Sequence, residues 1–188
     1  MKIVMYPPVS EELVDLVRQT VPDAEVVAPA TPEDCVKEMQ DAEVFFGMFK
    51  PEMLQAADNL KWIQSTSAGM DKEMRMEEVQ DGDFILTNSS GLHAIQVAEH
   101  AWALAAALCR GIHGSLVNQR EKKWGGRSFV DLYKSTAGIL GFGGIGREIA
   151  KRAHGFGMRI LTVDVHRGDR PDYVEAVWPV DRLDDVLS

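Results

Sequence analysis

Short apolar runs alternate with polar segments through the first ninety residues of the chain. Five of these runs are rich in Val, Ile, Phe and Trp, which favour strands, and they span residues 2–6, 25–28, 43–48, 61–64 and 84–87. The polar segments between them carry helix signals. Since strands that alternate with helices pair in parallel, we expect an open α/β domain with helices on both faces of its sheet.

The helix signals between these strands are specific. Ser10 and Thr31 are residues that cap helix N-termini, and Pro32 and Pro51 suit the first helical turn. The helix after Ser10 is expected to carry Leu13, Leu16 and Val17 on one apolar face. This face is predicted to pack on the sheet, and Pro22 is expected to follow the end of the helix.

A long apolar helix is predicted over residues 94–112. Its apolar residues recur at helical spacing: Val97, Ala101, Leu104, Ala105 and Leu108. We interpret it as the element that joins two domains and packs against both. A further helix is expected over residues 115–123, ended by Trp124, Gly125 and Gly126.

The strongest motif follows a predicted strand at residues 136–140. Gly141, Gly143 and Gly146 fit the G-x-G-x-x-G pattern, and the helix after them ends near Gly155 and Gly157. In this pattern the glycines allow a tight turn, the approach of a pyrophosphate and close packing of helix on strand. The helix N-terminus offers unpaired N–H groups to the phosphates.

A second strand is predicted at residues 159–163 and leads into Asp164. This carboxylate lies 18 residues past Gly146, about where the ribose-binding acid of a dinucleotide site belongs. A strand at residues 175–178 and a helix from about residue 182 complete the chain. The 188 residues therefore contain the pattern of one βαβαβ half of a doubly wound fold.

The composition of the chain argues against several classes of binding partner. The formal charge is −9 and no basic stripe is present, which argues against a nucleic-acid partner. The apolar runs are too short for a membrane span, so no membrane partner is predicted. Two cysteines that are far apart in the sequence favour reduced thiols and a cytoplasmic location. The histidines lack metal-ligand spacing, and no metal is predicted.

Four motifs in order resemble a known family. Residues 67–71, 87–91 and 97–100, followed by the glycine pattern, resemble the D-isomer-specific 2-hydroxyacid dehydrogenases, which include phosphoglycerate dehydrogenases and glyoxylate/hydroxypyruvate reductases. The resemblance implies a flavodoxin-like substrate domain over residues 1–93. It implies the first half of a Rossmann NAD-binding domain over residues 94–188, with the active site in the cleft between the domains.

The resemblance also implies roles for individual residues. Ser67, Ala68 and Gly69 match the loop whose backbone N–H groups hold the carboxylate of a small 2-oxo acid. The resemblance further implies that NAD is bound by a set of nine residues: Ala68, Val97, Gly141, Phe142, Gly143, Gly144, Ile145, Gly146 and Asp164. The charge of Asp164 favours NAD over NADP. His166, Arg167 and Arg170 could soften that preference or could be solvated loop charges.

The family's chemistry depends on a substrate-binding arginine and on a histidine paired with a glutamate. None of these maps onto a motif here, so we expect an incomplete form of the enzyme without catalytic residues and without turnover. Glu99 and His100 are adjacent on a helix and are expected to point apart. The alternative is a catalytically inactive NAD-binding or assembly module of the same fold. The resemblance implies a homodimer in either case.

Overall fold

Five parallel strands form the sheet of the first part of the chain. A computed structural model describes residues 1–125, 129–166 and 168–187, and it divides into two units, Met1–Leu92 and His93–Ser188. The described residues of the first unit give the strand order β2-β1-β3-β4-β5, which is the flavodoxin-like order. The strands are β1 Lys2–Tyr6, β2 Glu25–Val27, β3 Val44–Gly47, β4 Trp62–Ser65 and β5 Ile85–Thr87.

Four helices connect these strands within the described part of the first unit. They are α1 Glu11–Thr20, α2 Pro32–Glu38, α3 Pro51–Gln55 and α4 Glu77–Gln80, with 3-10 turns at Met39–Asp41 and Glu73–Arg75. Ser10 and Thr31 cap α1 and α2 through their side-chain oxygens, as the sequence predicts. Pro32 and Pro51 occupy the first turns of α2 and α3, where no N–H partner is lost.

The alternation of side chains along β1 divides the core between the two faces of the sheet. Ile3 and Met5 pack on one face with Val14 of α1, whereas Val4 packs on the other face in a cluster that contains Phe45. The expected face of α1 is wrong at one position. Leu16 is 58% exposed, and Val14 is the buried residue of this helix. Leu13 and Val17 pack partly buried in the same cluster, so the face in contact with the core extends toward Val14 and not toward Leu16.

The second unit contains a three-stranded parallel sheet, in the order β6-β7-β8, among its described residues. Its elements are α5 Ala94–Cys109, α6 Ile112–Arg120, β6 Thr136–Leu140, α7 Gly144–Gly155, β7 Arg159–Val163, β8 Ala176–Trp178, a 3-10 turn at Val180–Arg182 and α8 Asp184–Leu187. Ala150 and Ala153 of α7 pack on Ile139 and Ile160 of the sheet.

The long predicted helix is interrupted. It ends at Cys109 and not at residue 112, because Gly111 adopts a left-handed conformation (φ 61°) before α6 begins. The second helix accordingly runs over Ile112–Arg120 and not over residues 115–123. Gly126, which was expected to help end it, lies outside the described residues. Val97, Leu104 and Leu108 of α5 are exposed, and its buried residues are Ala94 and Ala98.

Candidate functional site

The glycine turn joins β6 to α7 at the carboxyl end of the sheet. Gly141 has a φ of 94°, which a residue with a side chain rarely adopts, and its N–H donates to Val163 O at 2.8 Å. A Cβ on Gly146 would lie 2.0 Å from Gly141 O, so only glycine allows the helix to sit this close to the turn. A Cβ on Gly143 would meet no atom within 4 Å. The turn thus has no room for a side chain at Gly146, whereas the space beside Gly143 is open.

The first turn of α7 presents backbone donors to this open side. Gly143 is the N-cap residue and provides no side-chain cap, and the N–H of Arg147 makes the first hydrogen bond of the helix, to Gly143 O at 2.9 Å. The N–H groups of Gly144, Ile145 and Gly146 precede that bond and have no helical partner. Since the helix dipole also favours negative charge here, the arrangement fits a pyrophosphate.

Asp164 follows β7 and lies against the glycine turn. Its carboxylate accepts the N–H of His166 at 2.7 Å and the N–H of Phe142 in a shorter bond. These two N–H donors, in that order, hold the pKa of Asp164 below its usual value, with smaller contributions from the charges of His166 and Arg147. The carboxylate is therefore ionised at neutral pH and fixed beside the turn.

The structure brings together seven of the residues in the predicted NAD-binding set. These are the six residues of the glycine turn and helix start with the acid after β7: Gly141, Phe142, Gly143, Gly144, Ile145, Gly146 and Asp164. Phe142 is buried, whereas the side chain of Ile145 at the helix start is 45% exposed. Val97 lies on α5 with 43% of its surface exposed, and its contact with a cofactor stays a prediction.

The predicted substrate loop follows β4 in the first unit. The N–H of Ser67 donates to Oγ of the buried Ser65 at 3.1 Å, so it is already engaged and is not available to a ligand. The Ser67 hydroxyl donates to Gly69 O at 2.9 Å. Among the described residues, the N–H groups of Ala68 and Gly69 donate to no protein group, and a Cβ on Gly69 would meet nothing within 4 Å. These two N–H groups are the donors that this loop can offer to a carboxylate.

Two residues after β5 hold this loop in place. The Asn88 side-chain amide donates to Ala68 O at 2.9 Å. The N–H and hydroxyl of Ser89 donate to Ser67 O at 3.0 Å and to Ser65 O at 2.9 Å. Sequence reasoning did not assign a role to either residue. Their position was nonetheless informative, because residues that follow adjacent parallel strands meet at the same sheet edge, and β4 pairs with β5.

The cation beside Asp164 is Arg147, which the sequence analysis did not single out. Of the three loop charges that it did consider, Arg167 lies outside the described residues, and Arg170 donates to Val174 O at 2.5 Å. His166 bonds to Asp164 through its backbone N–H. The signal for Arg147 was its place directly after the third glycine, in the first turn of the helix.

Glu99 of α5 is in contact with an arginine of α7. Its carboxylate pairs with Arg152 at 3.2 Å, and Arg152 also pairs with Glu148 at 2.5 Å. His154 stacks on Tyr173 with ring centroids 4.6 Å apart.

Among the described residues, no group of three or more His, Cys, Asp and Glu side chains is placed to hold a metal ion. No described helix has the length and apolar character needed to cross a membrane.

Comparison with known proteins identifies two family models that together cover nearly the whole chain. Residues 3–137 match the catalytic domain of D-isomer specific 2-hydroxyacid dehydrogenases. Residues 102–188 match the NAD binding domain of the same proteins. The first match alone spans more than half of the chain.

Curated relatives agree with these matches. A D-3-phosphoglycerate dehydrogenase of Archaeoglobus fulgidus is 32% identical over 170 residues, which are 87% of this chain and 32% of that protein. A hydroxypyruvate reductase of Thermotoga maritima is 33% identical over 135 residues, which are 71% of this chain and 42% of that protein. The chain thus spans 32% to 42% of the length of these relatives.

Solved structures show the same fold. A D-isomer specific 2-hydroxyacid dehydrogenase family protein from Aeromonas salmonicida subsp. salmonicida A449 matches 99% of this chain and 60% of its own chain, with a TM-score of 0.86 and 23% identity. An NAD-dependent formate dehydrogenase from Staphylococcus aureus, solved in complex with NAD, matches 97% of this chain and 62% of its own, with a TM-score of 0.68 and 22% identity.

The same substitution at two glycines of the turn should have different effects on stability. Gly146→Ala places a Cβ 2.0 Å from Gly141 O, and we expect it to lower the free energy of unfolding by about 1–3 kcal/mol, the usual cost of overpacking. Gly143→Ala, with open space around its Cβ, should change that free energy by less than about 0.5 kcal/mol. Urea denaturation followed by circular dichroism measures both, and equal stability of the two variants would contradict this account of the turn.

Proposed function

The chain belongs to the D-isomer specific 2-hydroxyacid dehydrogenase family, and from this premise we propose that its two loops bind NAD and a small 2-oxo or 2-hydroxy acid. NAD is the cofactor, in agreement with the match of residues 102–188 to an NAD binding domain. The proposal concerns which residues of this chain hold the cofactor and the acid, and what those residues do for the reaction.

The observation that carries the proposal is the position of Asp164 at the glycine turn. An ionised carboxylate that bonds to the Phe142 N–H is fixed beside the open side of the turn. A carboxylate in this position accepts hydrogen bonds from the adenosine ribose hydroxyls and repels a 2′-phosphate, which favours NAD over NADP. Its lowered pKa keeps it charged at neutral pH.

The pyrophosphate is proposed to lie over Gly143. The N–H groups of Gly144 and Ile145 are the donors for its oxygens, and the start of α7 adds the favourable end of the helix dipole. Since a Cβ on Gly143 would occupy the open space, glycine is needed here for access and not for folding. Val97 and Ala68 are the remaining residues of the proposed cofactor set.

The loop after β4 is proposed to bind the carboxylate of the substrate. Ala68 and Gly69 provide the two N–H donors, and Ser67 shapes the loop through its bonds to Ser65 and to Gly69 O. Small residues let the anion approach backbone donors without steric blocking. When bound, NAD supplies the nicotinamide that gives or takes a hydride at C2 of the acid.

We do not assign the proton-transfer step to any residue of this chain. The arginine, glutamate and histidine that the family resemblance implies have no matching motif in these residues, and the Glu99 carboxylate pairs with Arg152 at 3.2 Å. The 188-residue polypeptide is therefore proposed to bind cofactor without catalysing turnover. An incomplete dehydrogenase and an inactive NAD-binding module of the same fold therefore lead to the same expectation, which is cofactor binding without turnover.

NADH binding tests the proposed cofactor site. Gly143→Val should weaken NADH binding at least tenfold, because its side chain fills the space above the turn. Asp164→Asn should weaken it about tenfold, as expected for the loss of charge-assisted hydrogen bonds. Fluorescence titration of the purified chain measures both. Gly155→Val is the matched control, since Gly155 lies at the other end of α7 with equally open surroundings. Equal weakening in the control would refute the site.

Steady-state turnover tests the absence of catalysis. We expect the 188-residue polypeptide to oxidise no NADH above background with glyoxylate or hydroxypyruvate, because the arginine, glutamate and histidine that the family resemblance implies match no motif in these residues. The measurement is the loss of NADH absorbance with time. A rate that Gly143→Trp abolishes would belong to this chain and would overturn the expectation.

An exposed apolar surface supports the proposal of a homodimer built on the second unit. Leu104 and Leu108 lie one turn apart on α5 and are 53% and 67% exposed, and Leu116 on α6 is 52% exposed. Trp124, just after α6, is fully exposed. Exposed large apolar side chains of this kind are characteristic of protein interfaces.

The mass in solution tests this interface. We expect the wild-type chain to have twice the mass of one polypeptide in light scattering after gel filtration, and the Leu104→Glu, Leu108→Glu double variant to have the mass of one. Leu16→Glu is the control, because Leu16 is similarly exposed but lies on α1 of the first unit. A wild-type monomer, or a double variant that still dimerises, would disprove the proposed interface.

A further inference from the structure

The ribose end of the proposed cofactor site contains one guanidinium and two carboxylates among its described residues. Arg147 lies in the first turn of α7, with its guanidinium over the Phe142 ring at 4.7 Å from the centroid. The N–H of the same Phe142 donates to Asp164. The guanidinium therefore borders the residue that fixes the ribose-binding acid, and its charge acts on that acid.

A second acid holds this guanidinium. Nη2 of Arg147 donates to the backbone carbonyl of Asp169 at 2.7 Å and to its carboxylate at 3.1 Å. The backbone of the loop lies close as well, because a Cβ on Gly168 would be 3.4 Å from the same nitrogen. Arg147 is thus drawn toward the loop after β7 by two oxygens of one residue.

We infer that Arg147 is the residue of this site that would bind an adenosine 2′-phosphate, and that Asp169 helps to restrict the site to NAD by occupying Arg147. The inference rests on the proposed cofactor site and adds a selectivity residue to it. Arginine binds phosphate through several N–H donors in a fixed plane, so a free Arg147 is suited to this ligand.

The charges of Asp164, Asp169 and Arg147 explain why the site should prefer NAD to NADP. A 2′-phosphate that entered this corner would meet, among the described residues, the carboxylates of Asp164 and Asp169 and the guanidinium of Arg147, which is already engaged. Removal of the Asp169 charge leaves Asp164 in place for the ribose of NAD. It also weakens the hold on Arg147, which keeps its bond to the Asp169 backbone carbonyl, and it removes one repulsive charge. Selectivity should therefore change without loss of NAD binding. Since the Asp169 side chain is 94% exposed, solvent limits the size of this effect.

The experiment compares NADH and NADPH binding to the full 188-residue chain by fluorescence titration at pH 8. Asp169→Asn should tighten NADPH binding by about threefold to fivefold, the range expected for an exposed ion pair, and should leave NADH binding within about twofold. Adding Arg147→Gln to Asp169→Asn should cancel the gain for NADPH. The gain should also shrink as salt is added, because it is electrostatic.

Two matched controls separate this effect from net charge. Asp172→Asn removes the same charge from the same loop, and Asp172 takes part in no ion pair among the described residues. Lys151→Gln removes a cation from an exposed position of α7. We expect neither substitution to change the ratio of NADH to NADPH affinity by more than about 1.5-fold, within the scatter of exposed charges.

Three results would overturn the inference. They are an equal gain for NADPH in Asp172→Asn, an unchanged gain in the Asp169→Asn, Arg147→Gln double variant, and an equal change for both cofactors in Asp169→Asn. Normal NADH binding by the wild-type chain with any of these results refutes the role of Arg147 alone. No NADH binding by the wild-type chain refutes the proposed cofactor site and this inference together.

Discussion

The hydrogen bond from the Phe142 N–H to the Asp164 carboxylate is the interaction on which the second unit's site depends. It connects the glycine turn after β6 to the residue that follows β7. The neighbouring bond from the Gly141 N–H to Val163 O, at 2.8 Å, fixes the same two segments one residue earlier. The turn is therefore held in register with the adjacent strand, and the acid is fixed and ionised before any ligand arrives. Such preorganisation lowers the entropic cost of binding.

In the first unit, too, a loop after one strand is held by residues that follow the adjacent strand, but the groups that hold it are neutral. The loop after β4 is held by side chains that follow β5, chiefly Asn88 and Ser89, and by the buried Ser65 at the end of β4 itself. These bonds use the carbonyls of the loop and the N–H of Ser67. Among the described residues, the N–H groups of Ala68 and Gly69 donate to no protein group. In both units the candidate ligand donors lie at the carboxyl ends of parallel strands, where open α/β sheets bind ligands.

Ionised side chains border the glycine turn of the second unit. Each site offers backbone N–H donors to an anion, and at the second site the ionised carboxylate of Asp164 lies beside them. Asp164, Asp169 and Arg147 surround the ribose end, and the guanidinium is shared between a ring face and an acid. We therefore expect the discrimination between cofactors to lie in exposed side chains, which can change while the glycine turn stays the same.

Local patterns were sufficient to predict most of the elements and the glycine turn. The strand positions, the caps at Ser10 and Thr31 and the family itself follow from short-range periodicity, residue type and the order of four motifs. Asp164 was also foreseeable, because the spacing from Gly146 reflects the fixed length of one helix and one strand. These features depend on neighbours along the chain, and the sequence by itself determined them.

Other features required the tertiary structure. The buried position on α1 is Val14 and not Leu16, since small rotations of a helix on its sheet are set by packing. The engagement of Ser67, the support from Asn88 and the pairing of Arg147 with Asp169 join residues that are 2 to 22 positions apart through side-chain bonds. Sequence spacing does not specify such bonds, because they depend on which strand and helix ends meet in space.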